Sequence, residues 1–345
     1  MAKSKLKNLL INTAGGSLGR GVFRALRRQH VPVFMLHRMR DEQTGMPGHA
    51  PEMLDQALAY LASRGYRVVS LSDLVAAIDG EKALPDNAVV FTMDDGFHDQ
   101  LSIAAPIFAR HNAPVSIFLL GSFSSGESWP WDYKVEFLLN STEHNTLDFI
   151  VEDQRIECTI VTPHGRRMAK RALRDRLKSM RGDVIDDIVR RLADTLEVDI
   201  DAQPPENYRP ITWSDARAKE SALVQFGAHS INHLILAQQS DEVAKREIEQ
   251  SWQRVQQELE NPLDVFCYPT GRLHQDFSGR EMAFVEELGF RAALSVTPGY
   301  VSIGADGQEG RRYCLPRFAF PEDLESFIQL CSWIELVKEK VRARL

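Results

Sequence analysis

Short apolar runs recur along the chain from residue 31 onward, and between them apolar residues return at helical spacing. Runs at 31–35, 88–92, 114–120, 222–227, 264–268, 291–296 and 314–320 have strand length and sit between turn-forming residues. Strands separated by helical segments predict parallel β/α units, and seven of them predict a closed or nearly closed α/β barrel. Functional residues are then expected where strands leave the core at their C-terminal ends.

The pattern changes at about 122–210. Trp129-Pro130-Trp131-Asp132 opens this stretch, and residues 166–196 read as one or two basic helices. Met168, Leu173, Leu177, Met180, Ile185, Ile188 and Leu192 give those helices an approximate apolar face. The stretch reads as a mainly helical insertion that caps the barrel mouth. Its charges Arg166, Arg167, Lys170, Arg171, Arg174 and Arg176 suit either a phosphate-binding surface or a solvated helix face. From Glu322, Leu324, Phe327, Ile328, Cys331, Ile334, Val337 and Val341 predict a last helix packed on the barrel. The division is thus a basic arm at 1–30 and a barrel at 31–345 carrying the insertion.

Charge changes the picture at the N-terminus. Of the net charge of -7, the first thirty residues contribute seven Lys or Arg and no acid, which leaves -14 for the rest. So acidic a body predicts no nucleic-acid partner. The arm is open to two readings, a docked or solvated helix and a peripheral contact with an anionic inner-membrane surface. Four widely spaced cysteines without a C-x-x-C predict a reduced, cytoplasmic chain, and no secretory signal is expected.

Candidate chemistry begins with Asp94-Asp95-Gly96, directly after the apolar run at 88–92. Adjacent carboxylates repel unless a cation lies near or their roles differ, although Asp-Gly is also ordinary turn chemistry. His229 and His233, four residues apart after another strand, can share one face of a helical turn and reach one metal ion. An Asp from a second strand end would complete a set of two His and one carboxylate, leaving positions for water and substrate. Pro269 and Gly271, after the strand at 264–268, can bend the backbone so that an N–H faces the site.

In this order the three motifs, Thr92-Met93-Asp94-Asp95-Gly96, His229-Ser230-x-x-His233 and Phe266-x-Tyr268-Pro269-x-Gly271, resemble the polysaccharide deacetylase family, the NodB-homology or carbohydrate esterase family 4 domain. The resemblance runs over about residues 31–320 and implies a distorted (β/α)7 barrel that hydrolyses an N-acyl, usually N-acetyl, group on a saccharide. It implies Asp94 as general base, Asp95, His229 and His233 as ligands of a divalent metal, and the Tyr268 N–H as oxyanion donor. Zinc is the expected ion, with cobalt, nickel, manganese and iron as alternatives. Where many members carry an arginine before the third motif this chain has Cys267, and Arg317 is the expected replacement tether for Asp94. The usual histidine general acid is not visible, and His37 and His274 are candidate substitutes. Trp131, Asp132, Trp213 and Pro269 are candidate sugar contacts. The insertion and tryptophan elements look most like members serving surface-polysaccharide or glycolipid assembly, and the cytoplasmic expectation with the basic arm adds a lipid-linked saccharide as an option beside a surface-polysaccharide precursor. Two rivals stand beside this reading: a non-catalytic sugar-binding barrel, and a dinucleotide-binding oxidoreductase suggested by the glycine-rich run at 13–21.

Overall fold

The computed structural model describes residues 29–201, 203–303, 311–332 and 335–336. Most of the basic arm and the whole glycine-rich run lie outside the described residues. The strands are β1 (His30–Leu36), β2 (Arg67–Val68), β3 (Ala88–Met93), β4 (Val115–Leu119), β5 (Thr146–Val151), β6 (Gln154–Thr159), β7 (Val224–Ala228), β8 (Leu263–Cys267), β9 (Ala292–Leu294), β10 (Tyr300–Ser302) and β11 (Phe318–Ala319). The helices used below are α1 (Pro51–Ser63), α2 (Leu71–Ile78), α3 (Ala105–Arg110), α4 (Gly121–Ser124), α5 (Trp131–Ser141), α6 (Pro163–Leu177), α7 (Gly182–Leu196), α8 (Trp213–Lys219), α9 (Asp241–Glu258), α10 (Gly279–Glu287) and α11 (Leu324–Cys331).

Parallel pairing runs β11–β1–β3–β4–β7–β8–β9, and a parallel bridge between Leu294 and Leu315 brings the two ends of the series together. This is the expected distorted barrel of seven parallel strands. The seventh strand is shorter than the run at 314–320 suggests, because Pro316 has no N–H to give a ladder. Arg317 therefore precedes β11 instead of following a strand.

Strand alternation sorts the side chains into two cores. Val31, Val33, Val90, Val265, Cys267, Leu294 and Leu315 meet inside the barrel. Phe34, Leu36, Val89, Phe91, Met93, Phe266 and Ala293 point the other way, beneath α1, α9 and α11. Ser70, Ser240 and Ser278 cap α2, α9 and α10 by accepting backbone N–H groups, which fixes where the outer helices start.

The segment between β4 and β7 has a core of its own, in which Trp131, Leu138, Phe149, Leu173, Ile188 and Leu192 are buried together. It is less purely helical than expected: β5 and β6 form an antiparallel hairpin. Only α6 is basic, since α7 carries Asp183, Asp186, Asp187 and Asp194. Met168, expected on the apolar face, is exposed, and Ala169 takes the buried position.

Phe34 lies among Phe91, Phe318, Phe320 and Phe327, with ring centroids 4.9–6.3 Å away. Phe34→Ala is expected to cost about 3–5 kcal/mol of stability, read by urea denaturation. A loss below about 1 kcal/mol would contradict this packing.

Candidate metal and hydrolytic site

Strand β3 delivers Thr92 and then Asp94 to the barrel interior, because alternate residues share a face. The next residue should face outward, but Asp95 has φ 76°, followed by Gly96 at φ 75°. That left-handed step turns the second carboxylate back toward the same site. Gly96 is required there, since a Cβ would fall 2.8 Å from Leu119 Cδ2 as well as meeting the positive φ.

Asp94 is held by Arg317, which donates from its two terminal nitrogens to Oδ1 at 2.7 Å and Oδ2 at 2.8 Å. Both partners are buried. The guanidinium also donates to Thr92 Oγ1 at 3.0 Å and the Ser295 carbonyl at 2.9 Å, and reaches Cys267 Sγ at 3.3 Å. Burial pushes the Asp94 carboxyl up, but the Arg317 charge and hydrogen bonds outweigh it and hold the group below the usual carboxylate range. The compact Cys267 leaves room for this guanidinium, so the tether reaches Asp94 from the β9–β11 side.

Asp95, His229 and His233 converge, and all three are buried. Asp95 Oδ1 lies 3.3 Å from His229 Nε2 and 3.5 Å from His233 Nε2. Among the described residues that oxygen has no hydrogen-bond partner. The two histidines do not lie on a helical turn as expected. Ser230 (φ 70°) and His233 (φ 57°) are left-handed, and the loop is held from outside. Buried Glu247 of α9 accepts from the Ile231 N–H at 3.1 Å, the Asn232 N–H at 2.8 Å and the Asn232 side-chain amide at 2.7 Å. Gly121 lets the loop pack close, because a Cβ there would come 2.5 Å from Ile231 Cδ1.

The donor set fits a divalent metal. The Cys267 carbonyl faces His229 Nδ1 at 2.8 Å, which assigns the proton to that nitrogen and leaves the Nε2 lone pair toward Asp95. Asp132 Oδ1 faces His233 Nδ1 at 3.6 Å in the same sense. Tyr133 donates to Asp95 Oδ2 at 3.0 Å, leaving Oδ1 free to ligate. A second cluster, Asp94, His229 and Cys267, is a weaker candidate. Its carboxylate is committed to Arg317, and burial raises the Cys267 thiol well above its usual range, so it stays protonated.

The remaining expected residues divide. His37, after β1, places Nε2 4.0 Å from Asp94 Oδ2 and lines a cavity of about 580 Å³ that opens beside the site. Gln100 ties its loop to the Asp94 loop by donating to the carbonyls of His37 and Asp94. His274 is exposed, on a turn that follows Tyr268 by six residues. The Tyr268 N–H is directed at the Leu294 carbonyl at 3.3 Å, so it continues the β8–β9 ladder instead of standing free for an oxyanion. Pro269 is buried.

Two of the expected sugar contacts are corrected. Trp131 and Trp213 are 3% and 6% exposed and have no ring face to offer a pyranose. Their indole N–H groups go to the His233 carbonyl at 3.1 Å and to Ser125 Oγ at 2.9 Å. Asp132, the third expected contact, faces His233 Nδ1 and keeps 15% of its side chain exposed. Trp131, Asp132 and Tyr133, consecutive at the start of α5, thus all reach residues of the candidate metal set. Tyr133 and Glu247 were not expected from sequence. Glu247 left a signal: it is an acid on the buried stripe Ala244, Ile248, Ser251 and Val255 of α9.

Comparisons with known proteins bear on the fold and on one stretch of the sequence. Residues 196–293, which hold both histidines and the third motif, match the polysaccharide deacetylase family model. No curated protein matches the chain. The fold is similar to that of the Streptococcus pyogenes deacetylase PplD in complex with acetate, with TM-score 0.52 and 16% identity over 88% of this chain and 98% of that one. It is similar to IcaB from Ammonifex degensii, with TM-score 0.54 and 14% identity over 88% and 97% of the two chains. It also matches BC0361, a polysaccharide deacetylase from Bacillus cereus, with TM-score 0.53 and 11% identity over 88% and 69%.

Two outcomes follow. Arg317→Gln leaves a buried carboxylate unpaired and should cost about 3–5 kcal/mol in urea denaturation. Asp94→Asn/Arg317→Gln should lose less than the sum of the single changes, and strict additivity would contradict the pair. The second concerns His233, whose protonated form burial disfavours but Asp132 and Asp95 favour more strongly, leaving its pKa above the ordinary imidazole value. A metal must displace that proton, so affinity should fall as pH drops through the raised pKa. Calorimetry in buffers of different ionisation heat should show proton release, and pH-independent binding would count against it.

Proposed function

We propose, from the match of residues 196–293 to the polysaccharide deacetylase family model and from the barrel, that the chain is a metal-dependent hydrolase removing an N-acetyl group from a saccharide. One observation carries the reading: Asp95, His229 and His233 converge beside a carboxylate, Asp94, that Arg317 keeps ionised. A divalent cation, foremost zinc, would be held by Asp95, His229 and His233 and supplies Lewis acidity, making water more acidic and drawing charge from an acyl oxygen.

The chain's own groups do the rest. Asp94 accepts the proton of the attacking water. A carboxylate held below its usual range is a weak base, so its role depends on water of raised acidity. Its bidentate pairing fixes the plane of the carboxylate and keeps it ionised until it takes that proton. His37, whose Nε2 lies 4.0 Å from Asp94 Oδ2, gives a proton to the leaving amine in this reading. The Tyr268 N–H is not assigned a step, because the Leu294 carbonyl already accepts from it.

The finer reading is a lipid-linked or surface-polysaccharide precursor handled at the inner face of the membrane, with residues 1–30 as the peripheral contact. Their seven cations without an acid support it. No described helix is long and apolar enough to cross a bilayer.

Proton NMR of acetate released from N-acetylated saccharide provides the test. Asp94→Asn should slow release by about 10²- to 10⁴-fold while keeping the metal. Asp95→Ala should lose metal and activity together. Release that survives both metal stripping and Asp95→Ala would refute the reading.

A further inference from the structure

The basic side chains of α6 do not simply face bulk water. Arg166, Arg167, Lys170, Arg171 and Arg174 line a cleft of about 810 Å³, closed on its other sides by α5, residues 45–47 and Tyr208. One carboxylate shares the lining, Glu136, and it is paired with Lys170. Arg166 is occupied, donating to the Ile160 carbonyl at 2.9 Å and the Asn140 carbonyl at 3.3 Å. Arg171 approaches Asp175 at 3.6 Å, but both are well exposed, and such pairs contribute about 0–1 kcal/mol.

Two guanidinium groups remain. Arg167 has no ion-pair or hydrogen-bond partner among the described residues, and the Nε of Arg174 is shielded from solvent without one. Clustered cations in a concave, partly desolvated wall concentrate positive potential. Guanidinium forks match phosphate oxygens in geometry as well as charge.

The cleft adjoins the reaction site. Tyr133 donates to the metal-ligand residue Asp95, and the Lys170 ammonium lies 5.3 Å from the centroid of the same ring. Pro47 lines both this cleft and the cavity beside His37. We propose that the cleft binds a phosphate or diphosphate group carried by the saccharide substrate, holding it while the acylated sugar lies at Asp94. Placing the saccharide rests on the deacetylase reading; the anion site itself does not.

The test is calorimetric titration of the full chain with sodium diphosphate and then with an N-acetylhexosamine 1-phosphate. Saturable binding that weakens with added salt is expected. Arg167→Ala/Arg174→Ala should raise Kd at least ten-fold. Arg167→Ala alone, at an exposed and unpartnered position that cannot unfold the chain, should raise it several-fold. Asp95→Ala should leave it unchanged. Absence of binding, or binding indifferent to both arginines, would overturn the proposal, as would binding lost only with Asp95→Ala, which would put the anion on the metal. Vesicles of phosphatidylglycerol that bind through these arginines when neither soluble phosphate does would overturn it in favour of a membrane surface. Diphosphate binding without acetate release would instead refute the deacetylase reading and leave the anion site standing.

Discussion

The buried ion pair between Asp94 and Arg317 is the constraint on which the rest of the site depends. Two adjacent carboxylates face one point inside a barrel from which water is largely excluded, and without compensation at least one would take up a proton. Arg317 neutralises the first at hydrogen-bond distance, so the second is free to serve a different cation. Division of labour between the two acids is therefore an electrostatic consequence of where one guanidinium sits. Thr92, the Ser295 carbonyl and Cys267 Sγ fix that guanidinium in turn.

A second layer comes from the inserted segment. At the start of α5, Trp131, Asp132 and Tyr133 reach the His233 carbonyl, His233 Nδ1 and Asp95 Oδ2 in succession. From the opposite side Glu247 holds the strained loop that carries His233. The insertion, read from sequence as a cap over the mouth, is structurally part of the site. Its own buried core gives α5 the rigidity such positioning requires.

Much of this was legible in the residues because apolar runs and strand ends obey short-range rules. The barrel strands follow from apolar runs of strand length, and Asp94, Asp95, His229 and His37 stand where strands end. What escaped notice depends on the third dimension. A tryptophan's spacing does not say whether its face is open, so Trp131 and Trp213 read as sugar platforms when both are buried. Nor does a histidine pair at i and i+4 announce a left-handed loop in place of a helical turn. The two-residue strand β2 pairs with β3 without leaving a period to detect. Glu247 alone left a visible irregularity, a charge on an apolar stripe.

The measurement that bears most directly on this division of roles is a crystal structure of the chain loaded with zinc. The expected result is one ion bonded to Asp95, His229 and His233, with Asp94 unbonded to it and still paired with Arg317. An ion bonded to Asp94, with Arg317 displaced, would contradict the central claim, as would a metal bound only elsewhere.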